Sequence, residues 1–307
     1  MSDENAIDFD KLVENCYILS DKSAQDIEAA VDCLSESYTN SEMIMIYNHF
    51  LTVAKNQDLL MYLVRCIDRF RDKSSISPIL DLFLDRNNSL NLRIMCAKEL
   101  ANFKDTTVVT PLLYSLNDKS ENYKLRLACA DSLGRVGDKY AVSPLIDIVG
   151  DEEEKSVYVR ESAAVALGML GDIRAIEPLV KILESKKGFM DKFSFLKERI
   201  IEVLGKFHSS DDKVIKAMEH ALKDDSPTIR INAIEVLMES DSPRALPMIK
   251  SMLNDYDDEV KKNALIALYN LLGREILDEV IESSDYSEFL KEEAKDLITE
   301  YEDCEDE

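Results

Sequence analysis

The sequence predicts an all-α protein built as an α-solenoid, a stack of about nine helix pairs. Two recurring features indicate this: a proline and a large aliphatic residue each return at a nearly constant spacing along the chain. A third observation argues against a sheet, because no stretch alternates Val, Ile and Thr with polar residues as a strand does. Self-similarity at a fixed period is typical of helix pairs that bury their apolar faces on one another.

The repeat is clearest in residues 156–183, where two helical patterns meet. Gly171 suits the left-handed turn that ends one helix, and Asp172 is a good N-cap for the next. Pro178 is expected to lie beyond the first turn of this next helix, where it would remove a backbone hydrogen bond and bend the helix. The apolar stripe of this helix follows the i, i+3, i+4, i+7 spacing: Ile176, Leu179, Val180 and Leu183.

Proline marks the period at steps of 33, 33, 34 and 69 residues, and Val214 fills the place that the longest step skips. The prolines are Pro78, Pro111, Pro144, Pro178 and Pro247. An arginine stands 17 or 18 residues before four of them, and these are Arg93, Arg126, Arg160 and Arg230. Seven residues after each arginine position comes a large aliphatic residue, which we predict to lie in the core. This column comprises Leu34, Ile67, Leu100, Leu133, Leu167, Leu204, Leu237, Leu268 and Ile298.

In chain order, the sequence predicts a disordered N-terminus at residues 1–8, a single solenoid over residues 9–301 and an acidic tail at residues 302–307. Two insertions interrupt the period, an acidic turn at residues 151–154 and a loop at residues 186–192. The loop is either a tolerated insertion or a contact for a partner. The helix pairs are placed at residues 9–37, 41–71, 76–103, 109–136, 142–170, 175–207, 212–239, 244–271 and 274–301.

The cysteines and the termini indicate a cytoplasmic protein. Cys96 and Cys129 share a column of small apolar residues, and Cys33 and Cys66 share another. Equivalent positions in neighbouring repeats are separated by ~8–10 Å, the helix-packing distance. A disulfide needs a Cα separation below ~7 Å, so buried free thiols in a reducing compartment are expected. No signal peptide and no apolar run near ~18 residues is found, so we expect no membrane partner.

The central unit resembles a HEAT repeat, of the short HEAT-like type found in phycobilisome (phycobilin) lyases. The resemblance rests on Val159, Arg160, Ala163, Ala164, Leu167, Gly168, Gly171, Asp172, Ala175, Pro178, Leu179 and Leu183. Weaker copies span residues 125–145 and 229–249. The resemblance implies a right-handed superhelix whose second helices line the concave side. It also implies structural pairs between a turn aspartate and the arginine column, namely Asp118–Arg126, Asp151–Arg160 and Asp225–Arg230, with failures at Leu60 and Lys197.

The concave side holds the candidate partner-binding site. Counted from the arginine position, offsets 3, 4 and 7 are expected in the core, whereas offsets 2, 5 and 9 face outward. In three neighbouring repeats the outward positions bring together Tyr62, Arg65, Arg69, Met95, Lys98, Asn102 and Arg135. Further along the chain the same columns become acidic, at Glu202, Glu235, Glu239, Asp296 and Glu300.

Charge supports this contrast between the two parts of the chain. The protein has 37 basic and 61 acidic residues, a net charge of −24. Residues 55–140 carry 14 of the basic and 11 of the acidic residues, so this strip alone is net positive. It favours an acidic peptide or helix from a protein partner, although Asp68 and Asp131 offset part of the positive field. The alternative interpretation is an ordinary solvated face of mixed charge.

Several kinds of chemistry are disfavoured by composition. Nucleic acid is a poor partner for a chain with a pI near 4.6 and no Trp. Deoxyhypusine hydroxylases hold two irons with repeated His-Glu dipeptides, but His49, His208 and His220 are followed by other residues. These histidines are also too scattered in the repeat for an obvious zinc site. We predict no catalytic residue, no metal site and no cofactor.

The sequence therefore favours a non-catalytic scaffold, not an enzyme, that binds a protein partner on the concave face. The alternative is a phycobilin-lyase-like enzyme or chaperone that handles a tetrapyrrole-bearing protein. That alternative rests on the repeat resemblance alone, and function does not follow from fold. The oligomeric state is left open.

Overall fold

A computed structural model describes residues 7–20, 22–184, 194–208 and 211–305, and these residues form helices, turns and loops without a strand. Within this part, eighteen α-helices form nine consecutive pairs, which confirms the all-α solenoid of helix pairs. In chain order they are α1 (Phe9–Asn15), α2 (Ala24–Leu34), α3 (Asn40–Val53), α4 (Gln57–Asp68), α5 (Ile76–Leu84), α6 (Leu90–Asn102), α7 (Val109–Asn117), α8 (Tyr123–Val136), α9 (Val142–Gly150), α10 (Val157–Leu170), α11 (Ile176–Leu183), α12 (Ser194–His208), α13 (Asp212–Ala221), α14 (Pro227–Met238), α15 (Ala245–Ser251), α16 (Asp258–Leu272), α17 (Glu275–Glu282) and α18 (Glu288–Glu305).

The chain divides into two compact units, Met1–Leu145 and Ile146–Glu307, and the division falls inside α9. In the first unit, the second helices α4, α6 and α8 pack side by side, and α5 and α7 pack against α6 and α8. In the second unit, α10, α12, α14 and α16 pack in the same way, with α13 and α15 against α14 and α16. A single uninterrupted solenoid over residues 9–301 stays a prediction.

The aliphatic column forms the core of the repeats, as predicted. Seven of its nine members have no exposed surface: Ile67, Leu100, Leu133, Leu167, Leu204, Leu237 and Leu268. The prediction is wrong at both ends, where Leu34 and Ile298 are only half-buried. There Val31, fully buried, and Leu297, 9% exposed, occupy the inner positions. A terminal pair packs against one neighbouring pair only, so its outermost helix buries a narrower stripe.

Each proline of the period lies inside the first turn of its helix, so the predicted bend at Pro178 is wrong. A short 3₁₀ turn at Ile173–Ala175 comes first, and the α-helix then begins at Ile176. Pro178 is therefore the third helical residue, where a backbone N–H has no partner within the helix and its loss costs little. The other prolines and Val214 also occupy the third position of their helices, α5, α7, α9, α13 and α15.

The turns between the helices have the chemistry that the sequence predicts. Gly171 ends α10 with a φ of +60°, in the left-handed region. Asp172 then caps the following turn, because its Oδ1 accepts a hydrogen bond of 3.0 Å from the backbone N–H of Arg174. Asp8 caps α1 by accepting from the backbone of Lys11. The glycine–aspartate break thus directs the chain from one repeat into the next.

The described cysteines are free, and four of the five are buried. Burial raises the pKa of the Cys96 thiol to about 12 and raises the pKa of Cys129 further, so both remain protonated small apolar side chains. The expectation that Cys33 is buried like Cys66 is wrong, because Cys33 is exposed on α2, the second helix of the first pair.

The predicted insertions and termini are only partly within the described residues. The acidic turn is ordered: Glu154 is 3% exposed, and its Oε1 accepts a hydrogen bond of 2.9 Å from the backbone of Ser156. The loop at residues 186–192 and residues 1–6 lie outside the described residues. Helix α18 continues to Glu305, so residues 302–305 of the acidic tail are helical.

Two helical glycines differ in how closely a neighbouring helix approaches, and this difference predicts opposite effects of alanine. A Cβ on Gly205 would lie 2.7 Å from Cγ2 of Val236, whereas a Cβ on Gly168 would lie 3.4 Å from Cγ2 of Val203. We expect Gly205→Ala to lose about 1–3 kcal/mol of unfolding free energy, because the β-branched valine cannot move aside. Gly168→Ala is expected to gain up to about 1 kcal/mol from helix propensity.

Urea unfolding monitored by circular dichroism measures both variants, and Gly205→Ala/Val236→Ala tests the cause. A stability loss in Gly205→Ala that Val236→Ala does not relieve would contradict the close contact.

Candidate protein-binding face

The helices α4, α6 and α8 present one common face because their core positions fall in register. The predicted core offsets are fully buried in all three helices, at Leu63, Val64, Ile67, Cys96, Ala97, Leu100, Cys129, Ala130 and Leu133. The outward offsets therefore lie on the same side of three adjacent helices. We call this surface the α4–α6–α8 face, and it comprises Tyr62, Arg65, Arg69, Met95, Lys98, Asn102 and Arg135.

The seven residues of the face differ in exposure. The four cations Arg65, Arg69, Lys98 and Arg135 are exposed, whereas Tyr62, Met95 and Asn102 are half-buried. The Tyr62 hydroxyl donates a hydrogen bond to Oδ1 of Asp32 on α2. Burial first, and then this carboxylate, raise the pKa of Tyr62. Tyr62 thus fixes α4 to α2 through its hydroxyl.

A hydrogen-bond network connects the three helices at the part of the face that holds Asn102 and Arg135. Nδ2 of Asn102 donates to Asp68 Oδ1 at 2.7 Å and to Glu99 Oε2 at 2.8 Å. Arg135 donates to Oδ1 of Asn102 and, at 3.5 Å, to the backbone carbonyl of Lys98. Asn102 is therefore a structural bridge between α4, α6 and α8. Sequence reasoning missed Glu99, because its offset of 6 lies between the core and the outward columns.

The cations of the face form no ion pair with a carboxylate of the described residues. Arg65 and Lys98 have no side-chain hydrogen bond there, and Arg69 donates only to the carbonyl of Cys66, at 3.4 Å. Some other surface cations of the described residues are paired, as Lys213 is with Glu177 at 2.9 Å. The face therefore gathers four cations without an ion pair in the described part of the chain, and the charge of Arg135 opposes the raised pKa of the nearby Glu99.

Glu99 titrates abnormally because it is partly buried beside another acid. Desolvation raises its pKa, and the negative charge of Asp68 raises it further. A carboxyl whose folded pKa is raised binds more protons in the folded than in the unfolded state. The free energy of unfolding therefore falls as the pH rises from the ordinary range of Glu through the raised pKa.

This shift predicts that Glu99→Gln is more stable than the parent protein at pH 7, and that the difference disappears near pH 4. Thermal unfolding across this pH range measures it. Glu202→Gln is the matched control with the opposite sign, because the hydrogen bond from Lys206 lowers the pKa of Glu202. We expect Glu202→Gln to be less stable at pH 7. Equal pH profiles for the two variants would contradict this assignment.

In the second unit, the corresponding face is acidic and its cations are neutralised. Lys206 lies 2.8 Å from Glu202, and Arg199 pairs with the same carboxylate. A shallow cleft of about 260 Å³ lies on the surface where α12 and α14 meet. It is lined by Glu202, Gly205, Lys206, Asn232, Glu235, Val236 and Glu239. The charge contrast between the two faces thus follows the columns that the sequence analysis identified.

The arginine column is buried, and Arg93 and Arg230 each link their repeat to the next. Nε of Arg93 donates to the carbonyl of Phe83 at 2.8 Å, and its two terminal nitrogens bind Glu121 at 3.0 and 2.8 Å. Arg230 binds Asp255 through two hydrogen bonds of 2.9 and 2.8 Å. Both acids belong to the following repeat, 28 and 25 residues later. These arginines are structural and lie outside the α4–α6–α8 face.

Two of the predicted aspartate pairs are therefore wrong. Asp118 pairs with Arg86 instead of Arg126, and Asp225 offers its backbone carbonyl to Arg230 at 3.2 Å. The third predicted pair is Asp151–Arg160. Burial lowers the pKa of the Arg160 guanidinium, and the negative charge of Asp151 acts against this lowering.

The predicted failure at Lys197 is also wrong, because its Nζ lies 2.9 Å from Asp224 in the next repeat. At Leu60, neutral hydrogen bonds replace the ion pair, since Gln57 donates to Oδ1 of Asn88 and accepts from the backbone N–H of Ser89.

The described residues contain no group of three or more His, Cys, Asp or Glu side chains placed to hold a metal ion. His49 stacks against Phe9, with ring centroids 4.9 Å apart. Among the described helices, none combines the length and the apolar character needed to cross a membrane.

Consecutive helix pairs that pack on their neighbours place this protein in the class of α-helical repeat proteins. Residues 111–194 and 191–269 match the family model of HEAT repeats, and together these stretches exceed half of the chain. The protein belongs to the HEAT-repeat family. No curated protein sequence matches the chain.

The solved structures that this chain matches are distant in sequence. Kap121p is 13% identical, with a TM-score of 0.59, and the match covers 93% of this chain but only 36% of Kap121p. The CpcE–CpcF complex of phycocyanin lyase from Nostoc is 21% identical, with a TM-score of 0.45, over 72% of this chain and 92% of that chain. Human deoxyhypusine hydroxylase is 16% identical, with a TM-score of 0.36, over 85% and 94%.

Proposed function

We propose that this protein is a non-catalytic scaffold that binds a protein partner on the α4–α6–α8 face. The observation that carries the proposal is the set of four exposed cations, without an ion pair among the described residues, that three adjacent helices hold on one side. The link from Arg93 to Glu121 and the hydrogen bonds of Asn102 hold the three helices together, so the face is a preorganised surface that loses little entropy on binding. The family fits this role, since the karyopherin Kap121p has been solved bound to Pho4p and Nup53p.

The network of Asn102 supports recognition rather than catalysis. Its amide nitrogen contacts Asp68 and Glu99, and its amide oxygen accepts from Arg135. These hydrogen bonds hold the side chains of the network in place, as a recognition surface requires. The tetrapyrrole alternative gains no support from the described residues, because no observation there favours a pigment site.

Site-specific photo-crosslinking tests the proposal without changing the charge of the face. A benzophenone amino acid is placed at Met95, on the face, and in a second variant at Tyr114, which is 66% exposed on the first helix α7. In extract of the native cell, the Met95 variant is expected to capture a protein that the Tyr114 variant does not. Capture of the same proteins from both positions, or none from Met95, would refute the assigned face.

A further inference from the structure

We propose that the partner reaches this face with an extended, carboxylate-rich segment that crosses α4, α6 and α8. Arg65, Arg69, Lys98 and Arg135 would neutralise the acidic side chains of the segment. This inference rests on the proposed function and adds the chemistry, direction and length of the bound segment.

The first argument is the clustering of four cations without an ion pair on one side of three adjacent helices. The chain as a whole is acidic, with 61 acidic and 37 basic residues, and several cations elsewhere are paired. Lys250 pairs with Glu279 at 2.7 Å, and Lys262 pairs with Glu293 at 2.8 Å. On the α4–α6–α8 face, four cations remain without an ion pair among the described residues. An anion that binds there meets positive charge that the fold has not neutralised.

The second argument is the like-charge spacing on α4. Arg65 and Arg69 are four residues apart, so their side chains are neighbours on one side of the helix, and like charges at this spacing repel. Both side chains are exposed and neither forms an ion pair in the described part of the chain. This arrangement disfavours the free helix and is relieved by an anion that lies between the two guanidinium groups.

The third argument gives the direction and the length of the segment. Arg65 and Lys98 hold the same offset on adjacent helices, and Arg69 and Arg135 hold the same offset two helices apart. Adjacent helices pack ~8–10 Å apart, so the line from α4 to α8 measures about 20 Å. An extended chain advances ~3.3–3.6 Å per residue. About six extended residues therefore span all four cations.

The fourth argument favours a peptide over a nucleic acid. Asp68, Glu99 and Asp131 lie among the cations, and Asp131 on α8 has the offset that Lys98 has on α6. A phosphate backbone carries a charge at every step and would be repelled at these carboxylates. A peptide can place neutral residues opposite the carboxylates and acidic residues opposite the cations.

The test measures the binding of fluorescein-labelled peptides by anisotropy at 50 mM salt. The probe contains six consecutive Glu residues between Gly-Gly ends, and a six-Gln peptide is its neutral control. The face variant is Arg65→Glu/Lys98→Glu. The matched variant, Lys55→Glu/Lys124→Glu, makes the same change in net charge at exposed lysines near the starts of α4 and α8. Circular dichroism checks that both variants are folded.

We expect the hexaglutamate peptide to bind the parent protein and the matched variant alike, and the face variant at least tenfold more weakly. The Gln peptide is expected not to bind, and added salt is expected to weaken the Glu peptide. Equal binding to both variants, or no binding to the parent, would overturn the inference. A dT12 oligonucleotide that binds more tightly than the peptide, and also depends on Arg65 and Lys98, would overturn it in favour of nucleic acid.

The peptide-binding test and the crosslinking test can fail independently, so a failure of this inference is distinguishable from a failure of the proposed function. If the Met95 crosslinker captures a partner and hexaglutamate neither binds nor blocks the capture, the face stands as a binding surface and the acidic segment is refuted. If hexaglutamate binds the face and Met95 captures no protein, the anion site stands and the scaffold function is refuted.

Discussion

Leu167→Asp is expected to lose at least about 3 kcal/mol of unfolding free energy. The Leu167 side chain has no exposed surface within α10, which packs against α12 in the second unit. The aspartate would leave a gap where the leucine packed and would place a carboxylate among apolar side chains without a partner. Because helix pairs support their neighbours, the loss should extend to the packing of α12 on α10.

Urea unfolding monitored by circular dichroism measures this change, and hydrogen exchange shows how far it spreads. Met169→Asp is the control in the same helix, since Met169 is 49% exposed. We expect this control to lose about 1 kcal/mol or less, from helix propensity and its position near the helix C-terminus. An unchanged transition in Leu167→Asp would contradict the burial of that side of α10.

Asp255→Ala is expected to lose about 3–5 kcal/mol, because it leaves the charge of Arg230 buried without its counter-ion. The side chains of Arg230 and Asp255 are 1% and 5% exposed. The ring of Tyr256 lies 4.3 Å from the guanidinium carbon, and its hydroxyl accepts a hydrogen bond of 2.6 Å from Arg230. These contacts enclose the cation, so water does not replace the lost carboxylate.

A double-mutant cycle isolates the pair. Arg230→Met/Asp255→Ala should lose less than the sum of the two single variants, because the double variant no longer buries a lone charge. The exposed pair Lys213–Glu177, with side chains 57% and 53% exposed, is the control. Glu177→Ala is expected to cost at most about 1 kcal/mol. Additive losses in the buried pair would contradict the ion pair that links α14 to the next repeat.

Sequence periodicity predicts the helix pairs well because one column of buried leucines recurs in every internal repeat. Sequence periodicity fails to predict the ion-pair partners and the burial that depend on the neighbouring repeat. Glu121 and Asp255 are in the repeat after their arginines, and a comparison of positions within one repeat cannot reveal that partner. The terminal residues Leu34 and Ile298 fail for the same reason, since an end repeat lacks one neighbour.

The sequence predicted which residues share one side of α4, α6 and α8, but not the hydrogen bonds that these residues form. The offsets placed Arg65, Lys98 and Arg135 on one side of three helices. The bridge through Asn102 depends on side-chain lengths and angles that a spacing rule does not contain. The abnormal Glu99 carboxyl depends on its distance from Asp68, which is 31 positions earlier in the chain and on another helix.

The arginine links also determine where the chain can be cut for fragment studies. A truncation between α14 and α15 would remove Asp255 and leave the guanidinium of Arg230 without its counter-ion. A truncation between α6 and α7 would remove Glu121 and leave Arg93 without its counter-ion. Between α4 and α5 the column holds Leu60, and a cut there would sever the neutral hydrogen bonds of Gln57 and the bond from Asn102 to Asp68. A fragment that starts at Asp72, just before α5, keeps the ion pair of Lys73 with Asp105 and leaves no arginine of the column without its counter-ion.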